Sequence, residues 1–170
     1  MKLVLPILIA IFYAVHVQAQ SKQIDSLDNL IRKASSDTQR INLKIEKLRL
    51  LASGNLDSAI AFGSKVIDEA REINYKQGEA KARIKLAGDY CFYGNYEAAK
   101  NNLDTSKMIL SQISDSVSLG NMYNIYGMMY SMQNKFDSSH PLYERAIDIL
   151  SRQKDKTSLS SIGAKRIHYD

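Results

Sequence analysis

The chain contains a single cysteine, Cys91, so no intrachain disulfide can form. A lone thiol in an oxidising compartment survives best when buried, and Cys91 is read as a small core residue. Beyond residue 19 there is one proline, Pro141, and there are two histidines, His140 and His168. Neither histidine belongs to a His-Glu-x-x-His or similar metal-binding spacing. Also missing are the Gly-x-Ser-x-Gly elbow of a nucleophilic hydrolase, the P-loop and the glycine-rich dinucleotide turn. Acidic residues are plentiful, but no pair stands apart from the rest. The sequence thus predicts no enzyme: no catalytic residue, no metal site and no cofactor. Nor is there a sustained two-residue alternation bounded by Asn-Gly or Asp-Gly, which argues against strands. Lysine and arginine outnumber acidic residues by 23 to 18, for a net charge of +5. They are spread along the chain and interleaved with acids, as in Lys44-Ile45-Glu46-Lys47, which suits solvated helix faces and not a nucleic-acid surface.

The one long apolar run is Leu3–Val17, preceded by Lys2 and followed by the small-residue site Val17-Gln18-Ala19. It is shorter than the roughly 20 residues that span a bilayer, and Pro6 interrupts it. Residues 1–19 are read as a signal peptide cut before Gln20, so the mature protein is expected in the periplasm or secreted. Position 20 is not a cysteine that could be lipidated, and no second apolar run predicts a membrane span. Removing 19 of the 170 residues leaves 151, enough for one domain with its own core.

What the sequence does contain is a repeat. Residues 50–67, 90–107 and 130–147 align without gaps at a spacing of 40. The columns are Leu50/Tyr90/Tyr130, Gly54/Gly94/Asn134, Leu56/Tyr96/Phe136, Ala59/Ala99/Ser139 and Gly63/Leu103/Tyr143, and only Gly63 breaks its column. Gly54, Gly94 and Asn134 tolerate a left-handed backbone and so can end a helix and reverse the chain. Asp57, Glu97 and Asp137, three residues later, favour the positive start of the next helix. Ala59, Ala99 and Ser139 let two helices approach, and Leu56, Tyr96 and Phe136 plug the turn. Before the turns, Tyr123, Tyr126 and Tyr130 recur at helical spacing, as do Leu86 and Tyr90. After the third turn, Leu142, Ala146, Ile149 and Leu150 form a facing stripe. The tyrosines are read as a core seam with hydroxyls at its rim. Pro141 costs little if its helix starts near Asp137 and bends it if the start is earlier.

These columns resemble tetratricopeptide repeats (TPR). The second repeat fits best, with Ala80, Ala82, Leu86, Ala87, Tyr90, Gly94, Tyr96, Ala99 and Leu103. The third carries Tyr123, Tyr126, Gly127, Tyr130, Phe136, Tyr143 and Ala146. The first is degenerate, with Glu46 and Lys47 where apolar or small residues belong. The resemblance implies an all-α, right-handed α-α superhelix, a solenoid of about three helix-turn-helix repeats with flanking capping helices. The expected organisation is a capping helix in 20–36, an array over 37–153 with repeats at about 40–73, 80–113 and 120–153, and in 154–170 a second capping helix or the start of a fourth repeat. Ile24, Leu27, Ile31 and Ala34 mark the first cap; Ser160, Ile162, Ala164 and Ile167 allow the second. The usual TPR period is about 34 residues, so a spacing of 40 implies longer helices or loops, the latter placed at Asn74–Gly78 and Ser114–Ser116. This long form resembles the exported input region of Bacteroidetes-type sensor histidine kinases and related regulators. In those proteins a membrane helix and an output domain follow the repeats; neither follows here, so the kinase function is not carried over.

Function in such arrays lies on the concave face, lined by the first helix of each repeat. The resemblance places groove residues at positions two, five, nine and twelve of each unit. Those are Lys44 and Leu48 in the first repeat; Lys81, Ile84, Gly88 and Cys91 in the second; and Asn121, Asn124, Met128 and Ser131 in the third. Lys85 and Met132 lie at the edge. The predicted function is a non-catalytic scaffold for a protein or peptide partner; the alternative is a fragment of the periplasmic input region of a signalling protein. No nucleic acid is expected as a partner, and self-association through an uncovered array end is expected to be open to it.

Overall fold

The computed structural model describes residues 18, 20–52 and 55–152. The predicted signal peptide, Gly54 and the C-terminal flank from residue 153 lie outside the described residues. Helix α1 covers 20–32. It is followed by α2 (Asp37–Leu51), α3 (Leu56–Glu72), α4 (Lys76–Phe92), α5 (Tyr96–Leu110), α6 (Ser116–Met132) and α7 (Phe136–Arg152). No strand occurs among the described residues. From α2 onward each helix packs on the next, and the first helices of successive repeats also touch, α2 with α4 and α4 with α6. That pattern is the TPR-like solenoid.

The helix ends follow from local chemistry. Ser36, Asn55, Asn95 and Asp115 cap α2, α3, α5 and α6 by accepting a hydrogen bond from the backbone N–H three residues on, at 2.8–3.1 Å. Three reversals share a left-handed residue: Gly94 at φ +76°, Asn134 at +58° and Asn74 at +54°. At each, the next amide reaches back five residues: Asn95 to Tyr90 (2.9 Å), Lys135 to Tyr130 (2.9 Å) and Tyr75 to Ala70 (2.7 Å). These bonds close Schellman-type ends and satisfy carbonyls the helix would otherwise leave open. Asn74 makes the same reversal between repeats that Gly94 and Asn134 make within them. The predicted Asn74–Gly78 loop is therefore shorter than expected, because Lys76 already starts α4. The long period resides mainly in helices of 17 residues such as α4 and α6. Pro141 lies inside α7, which begins at Phe136. Its ring nitrogen cannot donate, so the Asp137 carbonyl loses its intrahelical partner.

The larger core cluster joins the second and third repeats through Ala87, Leu103, Met122, Met129 and Tyr143, with Cys91 fully buried among them. A second cluster joins α2 and α3 to α4 around Ile41, Leu48, Val66 and Leu86. Fully burying a leucine such as Leu48, Leu103 or Leu150 contributes roughly 1.5–3 kcal/mol. The tyrosines form the expected seam: Tyr126 is buried, Tyr123 and Tyr130 pack against the cluster, and the Tyr126 hydroxyl donates to Asp104 on α5. Burial and that carboxylate together hold the Tyr126 phenol well above its ordinary range.

The Gly63 break in its column has a packing reason. A Cβ on Gly63 would lie 2.7 Å from Leu86, so a leucine of α4 fills the space that the missing side chain leaves. Volume lost on one helix is regained on the other. In the third pair the fit is direct: a Cβ on Gly127 would lie 2.8 Å from the Tyr143 ring.

Candidate functional site

The inner faces of α2, α4 and α6 enclose an open cavity of about 840 Å³, within the size range of ligand sites. Residues 81–90 and 121–130 match position by position in their degree of burial, so α4 and α6 present equivalent faces to it. From α4 come Lys81, Ile84, Lys85, Gly88 and Phe92; from α6 come Asn121, Asn124, Ile125 and Met128, with Val117 and Ser118 at its start. The predicted groove residues of the second and third repeats that the structure brings together are thus Lys81, Ile84, Lys85, Gly88, Asn121, Asn124 and Met128. Cys91 and Ser131 are buried and do not line it. There the wall is completed by Phe92, which is 68% exposed.

The first repeat is placed differently. Leu48 has no exposed surface, and Lys44 turns to α3, where it pairs with Glu69 beside a separate hollow. The groove wall of α2 is instead Thr38, Gln39, Asn42, Leu43, Ile45 and Glu46. The reason is a slip of one residue. Residues 52–55 connect α2 to α3, whereas three residues, 93–95 and 133–135, suffice in the later pairs. Before that connection the equivalent of Ala80 and Ala87 is therefore found 39 residues earlier, at Ile41 and Leu48, both buried. One residue turns a helix by about 100°, which takes Lys44 and Leu48 off the groove and brings Asn42, Ile45 and Glu46 onto it. Aligning buried columns and not turn residues would reveal this slip in the sequence.

Charges in the groove are unevenly partnered. Glu46 lies 3.6 Å from Arg49, and Lys85 lies 2.6 Å from Asp89. Asp89 is 3% exposed, and its second carboxylate oxygen, Oδ2, is buried with no hydrogen-bond partner. Burial raises its pKa above the ordinary carboxylate value, while the Lys85 ammonium pulls the other way. Lys81 forms no ion pair among the described residues. Its charge is felt by Asp115, whose carboxyl is pushed up by burial but brought below its ordinary value by hydrogen bonds from Ser118 and Gln77 and by Lys81. The Gln77–Asp115 bond, 2.8 Å, ties the start of α4 to the start of α6. On α6, Asn124 is 9% exposed and its Oδ1 is buried without a hydrogen-bond partner among the described residues.

This arrangement offers shape, amide groups and, among the described residues, one lining cation without an ion-pair partner. Among the described residues no group of three or more His, Cys, Asp or Glu could hold a metal ion, and no helix is long and apolar enough to cross a membrane. No curated protein matches the sequence. The profile of the SusR N-terminal TPR domain matches residues 13–166, nearly the whole length and all three helix pairs, and the chain belongs to that family.

Proposed function

We propose that the protein is a non-catalytic scaffold that binds a protein or peptide partner in the groove formed by α2, α4 and α6. The observation that carries this reading is the groove itself, an opening of about 840 Å³ whose walls come from three successive repeats. The TPR fold is typically an interaction fold, and the lining offers apolar surface with amide and lysine groups, not a constellation for bond-making. A photoreactive residue at position 121 should crosslink the partner in living cells, while one at Lys100, exposed on α5, should not. Equal labelling from both positions would sink the groove assignment.

The same proposal places the protein outside the cytoplasm, on the Leu3–Val17 apolar run and the Ala19-Gln20 junction. N-terminal sequencing of protein from the periplasmic fraction should begin at Gln20; a chain retained in the cytoplasm with Met1 would overturn export. A second reading, the sensory input part of a longer signalling protein, is favoured by the family description, which speaks of an N-terminal domain. Reading the gene beyond Asp170 separates the two: a membrane-spanning segment followed by an output domain supports the input role, and a stop codon supports the separate scaffold.

A further inference from the structure

We infer that the groove takes an extended peptide that sets an acidic side chain against Lys81 and, about three residues along, an apolar side chain over Gly88. This rests on the groove reading above and specifies its ligand.

Charge is the first observation. Glu46 and Lys85 are matched by Arg49 and Asp89, which leaves Lys81 as the cation of the lining without an ion-pair partner among the described residues. Asp115 sits within its field but is already held by Ser118 and Gln77. An incoming carboxylate gains a charge-assisted hydrogen bond there.

The second observation is a recess. A Cβ at Gly88 would meet Ile125 Cδ1 at 3.5 Å and Met128 Cε at 4.0 Å. Both are ordinary contact distances, so the glycine is not demanded by helix packing. Its bare backbone leaves room between Ile84, Ile125, Met128 and the exposed Phe92. Forty residues on, the same places hold Asn121 and Met128, so cation and recess occur together on α4 and not on α6.

The third observation selects a peptide over a simple alkyl carboxylate. Asn124 Oδ1 is a buried acceptor without a donor, a state that costs free energy until an N–H arrives. A fatty acid has no N–H, whereas a peptide backbone has one per residue. Spacing sets the register: seven residues of α4 at 1.5 Å each separate Lys81 from Gly88 by about 10 Å, which three residues of extended chain cover. The reach of the lysine side chain allows one residue more or less.

The test is selection of a phage-displayed random dodecapeptide library on the full chain, followed by fluorescence anisotropy with the synthetic winner. Enriched peptides should carry Asp or Glu two to four residues from Leu, Ile, Met or Phe. Lys81→Gln should weaken the winner by about tenfold, Lys81→Arg should largely retain it, and Gly88→Leu should abolish it. Gly88→Ala guards against a folding defect, since it fits the helix and should still weaken binding. Asn124→Leu should weaken binding while leaving the thermal midpoint unchanged or higher. Winners without an acid, or indifferent to Lys81→Gln and Gly88→Ala, would overturn this inference and leave the groove reading standing. No enrichment at all would instead bring down the groove reading. Lys81-dependent binding of dodecanoate in place of any peptide, or a dimer dispersed by Gly88→Leu, would assign the groove to an alkyl carboxylate or to a second copy and overturn the inference.

Discussion

The first repeat and the two that follow make the same helix pair from different materials. Later repeats have a complete pair on the preceding side, and their first helices bury Leu86 and Tyr126 there. The equivalent residue in α2 is Lys47, whose neighbour before it among the described residues is α1. Lys47 reaches Asp28 of α1 at 2.6 Å and lies 5.5 Å from the centre of the Phe62 ring, while Gln20 of α1 donates to the Leu50 carbonyl. A charge at a seam position thus ties down α1, a helix with no fully buried residue among 20–32. Degeneracy at the start of the array reflects a different neighbour and not a failing repeat.

The largest effect is expected from the one-residue slip in α2. If Leu48 is core, Leu48→Ala should cost about 2–5 kcal/mol, whereas Glu46→Ala on the groove should stay within about 0.5 kcal/mol; urea unfolding measures both. Comparable small losses would mean that Leu48 faces the groove after all. Next in size is the reciprocal fit of the third pair. Gly127→Ala drives a methyl group into Tyr143 and should destabilise by about 1–3 kcal/mol. Adding Tyr143→Leu, which recreates the Ala87 and Leu103 combination of the second repeat, should recover most of that loss, and an additive double mutant would refute the pairing.

A smaller effect is expected at α1. Lys47→Leu copies the second repeat and should change global stability by no more than about 1 kcal/mol. Amide exchange in α1 should nonetheless speed up markedly, because the tether to Asp28 is gone; unchanged protection of α1 would show that the ion pair does not hold it. The smallest effects concern two carboxylates shifted in opposite directions. Asp89 has a raised pKa, so its contribution is present below the unfolded value of 3.8 and is lost as pH rises through the folded value. Asp115 is lowered, so its contribution is present above 3.8 and is lost as pH falls through the folded value. Relative to the wild type, Asp89→Asn should therefore gain stability as pH rises above 3.8, and Asp115→Asn should lose it as pH rises towards 3.8 from below. Parallel pH profiles for the two variants would contradict this assignment.

Much of this architecture is legible in sequence because turns and small residues are local signals. Gly94 and Asn134 mark left-handed reversals wherever they occur in a helical pattern, and Ala99 and Ser139 advertise close approach. The groove on α4 and α6 follows once those marks fix the register. The α2 wall does not, because the gapless spacing of 40 is a property of the turns, and one added residue before Asn55 changes which side of α2 faces inward. Partnering is equally hidden: nothing in the string distinguishes Lys85, bound to a buried Asp89, from Lys81, which forms no ion pair among the described residues. Nor does sequence alone show that Asn124 Oδ1 is left without a donor, since that depends on which neighbours surround it.

The tight glycine contacts carry a lesson for the history of the array. A Cβ on Gly63 would lie 2.7 Å from Leu86, and one on Gly120 would lie 2.6 Å from Leu150. Excising one period by unequal crossing-over, for instance 76–115, would preserve every repeat signature and yet set Tyr126 where Leu86 now meets Gly63. The leucine fitted to Gly63 would give way to a tyrosine that now packs in one cluster with the larger Leu103. The repeats read alike but are not interchangeable parts, so this array can drift in sequence far more easily than it can grow or shrink by whole units.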